Sequence, residues 1–326
     1  MTIRLVSQYD YPKGVVVITG GWSAERHRSL LSAQAVLGAL HGMGVRADTV
    51  DLKTDQRELG GRLDGVDTVF LAIAGRGGED GRLQGYLETR GIDYTGSGVL
   101  ASAVCMHKLR AKSIVRAAGV LTTPVATAVS HQVKVDVEAA RIVDLLGPDI
   151  IIKPVNEGCS VGLRRPRGND ELIAALLDAS STDLMAEAYH RGRSISVGVL
   201  EDETTGRLDT LPPIEAETAG RVYTQAAKEN SDLCTYRCPA PLTDDVDKAV
   251  REQAVAAHRA LGCHGYSRHD FIITPDQRAL WLEANTLPGL SHKGNLARMA
   301  KAAGISYEQL VSHILRGART DRRAQA

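Results

Sequence analysis

The sequence predicts an α/β protein of three consecutive units, residues 1–103, 104–187 and 188–326. Three observations lead there. In the first unit, apolar runs of strand length alternate with a helix-spaced run, the rhythm of a parallel sheet covered by helices. From Val104 onward the order becomes helix, strand, strand, helix. Near the C-terminus two β-rich runs flank a turn sequence, which predicts a hairpin. At 326 residues the chain has room for two or three domains and a sizeable core.

Val15-Val16-Val17-Ile18 ends in Gly20-Gly21 and reads as a buried strand entering a turn. Ser23 is placed to cap the next helix, with Glu25 at its positive end. Leu30, Ala33, Leu37 and Leu40 recur at helical spacing, and Gly42 and Gly44 end the helix. Val45–Leu52 and Thr68–Ala74 read as further strands. The second unit opens with a helix from near Val104 to Gly119. Strands follow near Val125 and over Ile150–Lys153, then a helix from Asp170. The third begins at Glu187–Gly192 and carries strands, a long polar loop (Glu217–Pro239), a helix opened by Thr243-Asp244-Asp245, and the hairpin.

Composition excludes several classes. Lys plus Arg and Asp plus Glu number 39 each, so no net charge draws the chain to nucleic acid or an anionic membrane. The basic stretch Arg316–Arg323 reads as a solvated tail. No apolar run approaches the roughly 20 residues of a bilayer span, and Met1–Lys13 lacks the apolar core of a signal peptide. A cytoplasmic enzyme is expected. The five cysteines are scattered and odd in number, and Cys234 and Cys238 have no CxxC or histidine pair beside them. Reduced, mostly buried thiols fit better than a disulfide framework or a zinc site.

The most informative segment is Ser267–Asn285. Centring its turn between Asp276 and Gln277 puts Asp270 opposite Glu283 and Arg268 opposite Asn285 on one face. Phe271, Ile273, Leu280 and Leu282 then fall on the other face. Opposed carboxylates repel unless a divalent cation lies between them, and oxygen ligands of this kind suit Mg²⁺ held jointly with phosphates. The alternative is a solvated face neutralised by Arg268 and water; a one-residue slip would scatter the acids.

No G-x-x-x-x-G-K-[ST] occurs. Instead Lys153 ends a strand and runs into Asn156-Glu157-Gly158-Cys159-Ser160-Val161-Gly162, where an ammonium and backbone N–H groups could meet phosphate. Lys108 is a second candidate cation. Gly75-Arg76-Gly77-Gly78-Glu79-Asp80-Gly81 is, taken alone, a turn.

Together these segments resemble the D-alanine–D-alanine ligase family. Gly20-Gly21-Trp22-Ser23-Ala24-Glu25, Gly75–Gly81 with Leu83-Gln84-Gly85, Tyr94-Thr95-Gly96-Ser97-Gly98 and Met106-His107-Lys108-Leu109 match its signatures in order. So do the Lys153–Gly162 loop, Ala227-Lys228 and Leu282-Glu283-Ala284-Asn285-Thr286-Leu287-Pro288-Gly289. The resemblance covers nearly the whole chain. It implies a three-domain ATP-grasp fold, ATP between the second and third domains, and two Mg²⁺ ions, with Mn²⁺ able to substitute. By motif position Lys108, Lys153 and the loop residues Gly158, Cys159, Ser160 and Val161 would hold phosphates. Glu187 and the backbone of Ala188, Tyr189 and His190 would meet adenine. Asp270, Glu283 and Asn285 would be metal ligands, and Arg268 with a Gly289 N–H would stabilise the tetrahedral intermediate. Glu25 would receive the first substrate's amino group, and Lys228 would reach phosphate from a lid over Glu217–Pro239. The substrates would be small molecules, an amino acid and a second amino acid or amine, and the assembly a homodimer.

Some positions depart from the family pattern. Ala74 stands where a histidine is usual, Cys159 for a serine, Glu229 for a tyrosine and Ser194 for a ribose-binding glutamate. In the family that serine and tyrosine hydrogen-bond the N-terminal glutamate; were the changes mere drift, Tyr223 or Tyr236 would fill the gap. After Gly289 the usual serine-rich segment reads Leu290-Ser291-His292-Lys293-Gly294, offering Ser291 and Lys293 to the second substrate's carboxylate. Departures at substrate positions beside intact metal and phosphate positions point to a specialised ligase with at least one substrate other than D-alanine. The alternatives are an authentic D-alanine–D-alanine ligase, a ligase with a hydroxy-acid acceptor, and a non-catalytic ATP-binding regulator. A Rossmann dehydrogenase fails because no G-x-G-x-x-G follows the first strand.

Overall fold

The structure, a computed structural model, describes residues 11–12, 14–123, 126–130, 132–158, 160–178, 183–218 and 234–320. Its first unit runs β1 (Val15–Thr19), α1 (Arg26–Gly42), β2 (Ala47–Asp51), α2 (Leu59–Arg62), β3 (Thr68–Leu71), α3 (Arg82–Arg90) and β4 (Asp93–Tyr94). The four strands form a parallel sheet in the order β2-β1-β3-β4. All five residues of β1 are buried, as an interior parallel strand covered on both faces requires.

Helix α1 departs from expectation at its start and along its buried face. It begins at Arg26, with Glu25 at the cap position. Ser23 lies before the cap; its hydroxyl donates to the Ala74 carbonyl at 2.8 Å and accepts the Glu25 N–H at 3.2 Å, tying the two loops together. Ser29, Ser32, Ala33, Val36, Ala39 and Leu40 are buried, whereas Leu30 is 37 % exposed. Small residues let the helix lie close, and the two serines are satisfied by accepting the N–H groups of Ala74 and Leu290.

Next come α4 (Val99–Met106), α5 (Lys108–Ala117), β5 (Ala126–Ala128), α6 (Val135–Leu146), β6 (Ile150–Pro154), α7 (Asn169–Asp178) and β7 (Leu184–Ala188). The single helix expected from Val104 is two helices. They break at His107, where the backbone is extended and Nδ1 accepts the Arg110 N–H. The break lets the Lys108 N–H reach the Val155 carbonyl at 3.1 Å, bringing α5 to the end of β6. Strands β5-β7-β6 are antiparallel, and α6, absent from the sequence reading, packs on them with α7 in a small core of its own.

The third unit contains β8 (Arg193–Glu201), β9 (Leu208–Thr210), β10 (Ile214–Thr218), β11 (Cys234–Arg237), α8 (Asp244–Ala260), β12 (Tyr266–Ile273), β13 (Ala279–Asn285), α9 (Asn295–Ala302) and α10 (Tyr307–Arg316). Its antiparallel sheet runs β11-β10-β8-β12-β13, with β9 on β8. The ends of the expected Glu217–Pro239 loop are strand, Glu217 pairing with Thr235; Tyr223, Lys228 and Glu229 lie outside the described residues, as does Cys159. Thr243 caps α8 by position only; three aspartates fill the first turn. Helices α9 and α10 fold back on the first unit and share its core. Arg316 and Arg319, expected in a solvated tail, instead pair with Glu203 and Glu201 where the end of α10 meets β8.

The β12–β13 hairpin has the expected register at its functional end, Asp270 opposite Glu283 and Arg268 opposite Asn285. One step on, a bulge moves the pairing of Phe271 to Trp281 and leaves Leu282 unpaired. Phe271, Ile273, Ala279 and Trp281 therefore share the core. Leu280 pairs with Ile272 rather than Ile273, and Leu282 turns into the cleft beside Glu283. The expected placement of Leu280 and Leu282 with Phe271 is thus corrected: strict alternation cannot hold across an extra residue.

Candidate active site

The three units meet around a cleft of about 500 Å³. The loop after β1 supplies Glu25, α5 Lys108, β6 Lys153, β7 Glu187, the hairpin Arg268, Asp270, Glu283 and Asn285, and the following loop Gly289, Ser291 and Lys293. Ser160, Val161, Ala188, Tyr189 and His190 also line it. Ser160 has φ 61°, in the left-handed region, within the loop that follows Lys153. Gly158 lies behind the Glu25 carboxylate: a Cβ there would stand 2.4 Å from Oε2.

The hairpin acids are held by cations and donors. Arg268 bonds both Asp270 oxygens at 2.9 Å, Ser196 donates to Oδ1 at 2.7 Å and Asn285 to Oδ2 at 3.2 Å. Lys108 Nζ lies 3.3 Å from Glu283 and donates to the Glu157 carbonyl at 2.5 Å. Among the described residues no three His, Cys, Asp or Glu side chains gather into a metal cage. Two carboxylates and an amide on one cleft face are hard donors too few to enclose a cation, which fits Mg²⁺ completed by phosphate oxygens.

Behind the hairpin, Trp281 donates its indole N–H to His269 Nδ1 at 3.2 Å; His269 Nε2 is 2.9 Å from the Ser267 hydroxyl, itself 2.7 Å from His258 Nδ1. Burial pushes the His258 imidazole down to about 4, so the array is neutral. It anchors the strands that carry the acids.

Two titratable groups were missed by the sequence reading. Lys112, 1 % exposed, sits one turn beyond Lys108 on α5. It donates to Thr123 at 2.8 Å and lies 3.3 Å from Glu187, which also takes Lys153 at 2.5 Å. Burial alone would raise the Glu187 carboxyl, but Lys112 and Lys153 outweigh it and hold it at about 2. The i,i+4 spacing of two lysines was the available signal. Glu79, in the glycine-rich turn, accepts the N–H of Gly75 at 2.6 Å and of Leu287 at 3.1 Å, joining the first and third units. Burial, then repulsion from Glu25, raises its carboxyl to about 8.

The family model for the D-ala D-ala ligase C-terminus matches residues 114–316. A D-alanine–D-alanine ligase of Nitrosospira multiformis is 39% identical over 313 residues, covering 95% of this chain and 98% of its own. The chain belongs to the D-alanine–D-alanine ligase family. It is therefore an ATP-dependent ligase that forms C–N bonds. Its fold is the ATP-grasp fold: the D-alanine–D-alanine ligase of Bacillus anthracis, solved with ATP, superposes with TM-score 0.81 at 26% identity, covering 96% of this chain and 100% of that one. The VanG D-Ala:D-Ser ligase of Enterococcus faecalis gives TM-score 0.76 at 27% identity, covering 93% and 98%. Among the described residues of this family member, no helix is long and apolar enough to cross a membrane.

Proposed function

We propose that this ligase joins an amino acid to a second amino acid or amine through an acyl phosphate, with at least one substrate other than D-alanine. Lys108 and Lys153 receive ATP phosphates, Glu187 and the Ala188–His190 backbone the adenine, and Glu25 the first substrate's ammonium. Asp270, Glu283 and Asn285 would hold two Mg²⁺ ions, which supply charge neutralisation of the transferring phosphoryl group. The first substrate's carboxylate oxygen attacks the γ-phosphorus and ADP leaves. The amine of the second substrate then attacks the carbonyl, Arg268 and the Gly289 N–H stabilise the oxyanion, and phosphate leaves. Ser291 and Lys293 meet the second substrate's carboxylate, and Lys228 in the Glu217–Pro239 lid screens the acyl phosphate from water.

The convergence of Glu25, Lys153 and the hairpin acids on one cleft carries the chemistry. The substrate departure is supported by Ala74, which lines that cleft where the family pattern has a histidine; Glu229 and Cys159 depart likewise. Family resemblance supports domain boundaries near 103 and 187, a homodimer and a cytoplasmic setting. Phosphate release with ATP, Mg²⁺ and a panel of D- and L-amino acids and amines tests the reading. Efficient turnover with D-alanine alone would establish the second reading, a D-alanine–D-alanine ligase, which the 39% identity to proteins of that name favours. ATP binding without ADP release on any substrate would make the chain a regulator.

A further inference from the structure

Two buried lysines share one carboxylate. Glu187 holds Lys153 Nζ at 2.5 Å through Oε1 and Lys112 Nζ at 3.3 Å through Oε2, with the Thr123 hydroxyl donating to Oε2 at 3.1 Å. The cations are not equivalent. Lys153 lines the cleft; Lys112 lies behind it, also bonded to the Trp281 carbonyl at 3.4 Å and 5.8 Å above the indole ring. Its partners on β7, β13 and the Thr123 segment fix Lys112 in place, and it is not among the residues that line the cleft.

A lysine paired one-to-one with a buried carboxylate is a poor phosphate receptor, because moving it away strands the carboxylate without a counter-ion. Here the trio carries one surplus positive charge, and Glu187 keeps a cation and a hydroxyl donor when Lys153 moves. We propose that Lys112 is a positioning residue for the nucleotide: as resident counter-ion of Glu187, it frees the Lys153 ammonium to pass from that carboxylate to an ATP phosphate. Burial pulls the Lys112 amine down to about 8, Glu187 opposing, so the ammonium is retained at neutral pH and becomes limiting above that value.

The inference rests on Lys153 meeting phosphate, and Lys153→Ala tests that reading separately: unchanged ATP affinity there would remove the reading itself. With that affinity reduced, a double-mutant cycle on the full chain decides the role of Lys112, read as Kd for ATP with Mg²⁺ by calorimetry and as KM against kcat by phosphate release. Lys112→Met should raise Kd and KM for ATP by about fivefold or more while kcat at saturating ATP changes less. In a Glu187→Gln background the same substitution should change Kd by less than about fivefold, since the group it serves is neutral. A smaller loss in the single variant, or a loss that persists in full beside the neutral amide of the Glu187→Gln background, would overturn the counter-ion role in favour of a direct or merely structural one. If Lys112→Met does not fold, a change in Kd of about fivefold or more between Glu187→Gln and the double variant still overturns the counter-ion role.

Discussion

Gly158→Ala displaces the Glu25 carboxylate without touching its charge. The added Cβ would lie 2.4 Å from Glu25 Oε2 and 3.2 Å from Cδ. An unstrained carbon–oxygen contact is roughly 3.4 Å, so the carboxylate must swing by about 1 Å. Only the end of a flexible side chain yields, and the fold should keep its melting temperature. Moving the carboxylate off a substrate ammonium loses one charge-assisted hydrogen bond, about 1.5–3 kcal/mol. At about 1.4 kcal/mol per factor of ten, KM for that amino acid should rise roughly tenfold to a hundredfold. Steady-state phosphate release, varying the amino acid at saturating ATP, reads the change, and calorimetry with ATP separates it from any effect of the substitution on the phosphate-holding loop. If KM for the amino acid stays within about threefold of the parent, Glu25 does not receive the ammonium.

Asp270→Asn and Glu283→Gln should each lower turnover by about a hundredfold to a thousandfold, with circular dichroism unchanged; near-normal phosphate release in both would remove the hairpin from metal binding. Trp281→Phe leaves His269 Nδ1 a buried acceptor without its donor and should cost about 1–3 kcal/mol in urea unfolding, whereas no loss would mean the array is not a stabilising one. Glu79 sits at about 8 against an ordinary 4.5, so the folded protein holds a proton that the unfolded chain releases between those values. The corresponding stability is complete below pH 4.5 and declines as pH rises towards 8, and Glu79→Gln should flatten that decline in melting temperature. His258 and His264, held at about 4 and about 3, act on the other limb. Each favours the folded state above pH 6.5 and withdraws that support as pH falls towards its folded value; Glu79→Gln should leave this acid limb unchanged.

The order of elements and the opposition of Asp270 and Glu283 were legible because alternation and turn chemistry are local properties. What escaped was set by tertiary contact. Leu282 is turned into the cleft by a bulge that no propensity marks, because its driving force is the burial of Trp281 against His269 and Lys112. Ser23 has the composition of a cap, yet its hydroxyl is committed to Ala74 in a neighbouring loop. Leu30 looked like core by size, while serines took the buried positions by bonding two loops. Lys112 was passed over, since only the fold brings Glu187 to it from 75 positions later in the chain. Of the expected site residues, those on strand ends and the hairpin converge on one cleft; Lys228, Glu229 and Cys159 lie outside the described residues.

Helices α9 and α10 bury Leu296, Met299, Leu310 and Ile314 in the same core as β1 and β3, so residues 295–316 are joined to the first unit. The core of β6, β7, α6 and α7 is separate and much smaller, confined to residues between 139 and 186 apart from flanking apolar side chains. Two of the three walls of the cleft, which carry Glu25 and the hairpin acids, thus share one core. The third wall, bearing Lys153 and Glu187, rests on that smaller core. The wall that offers Lys153 is thus built apart from the walls that offer Glu25 and Asp270, so reach towards a phosphate and alignment at the metal face are assigned to different parts of the molecule.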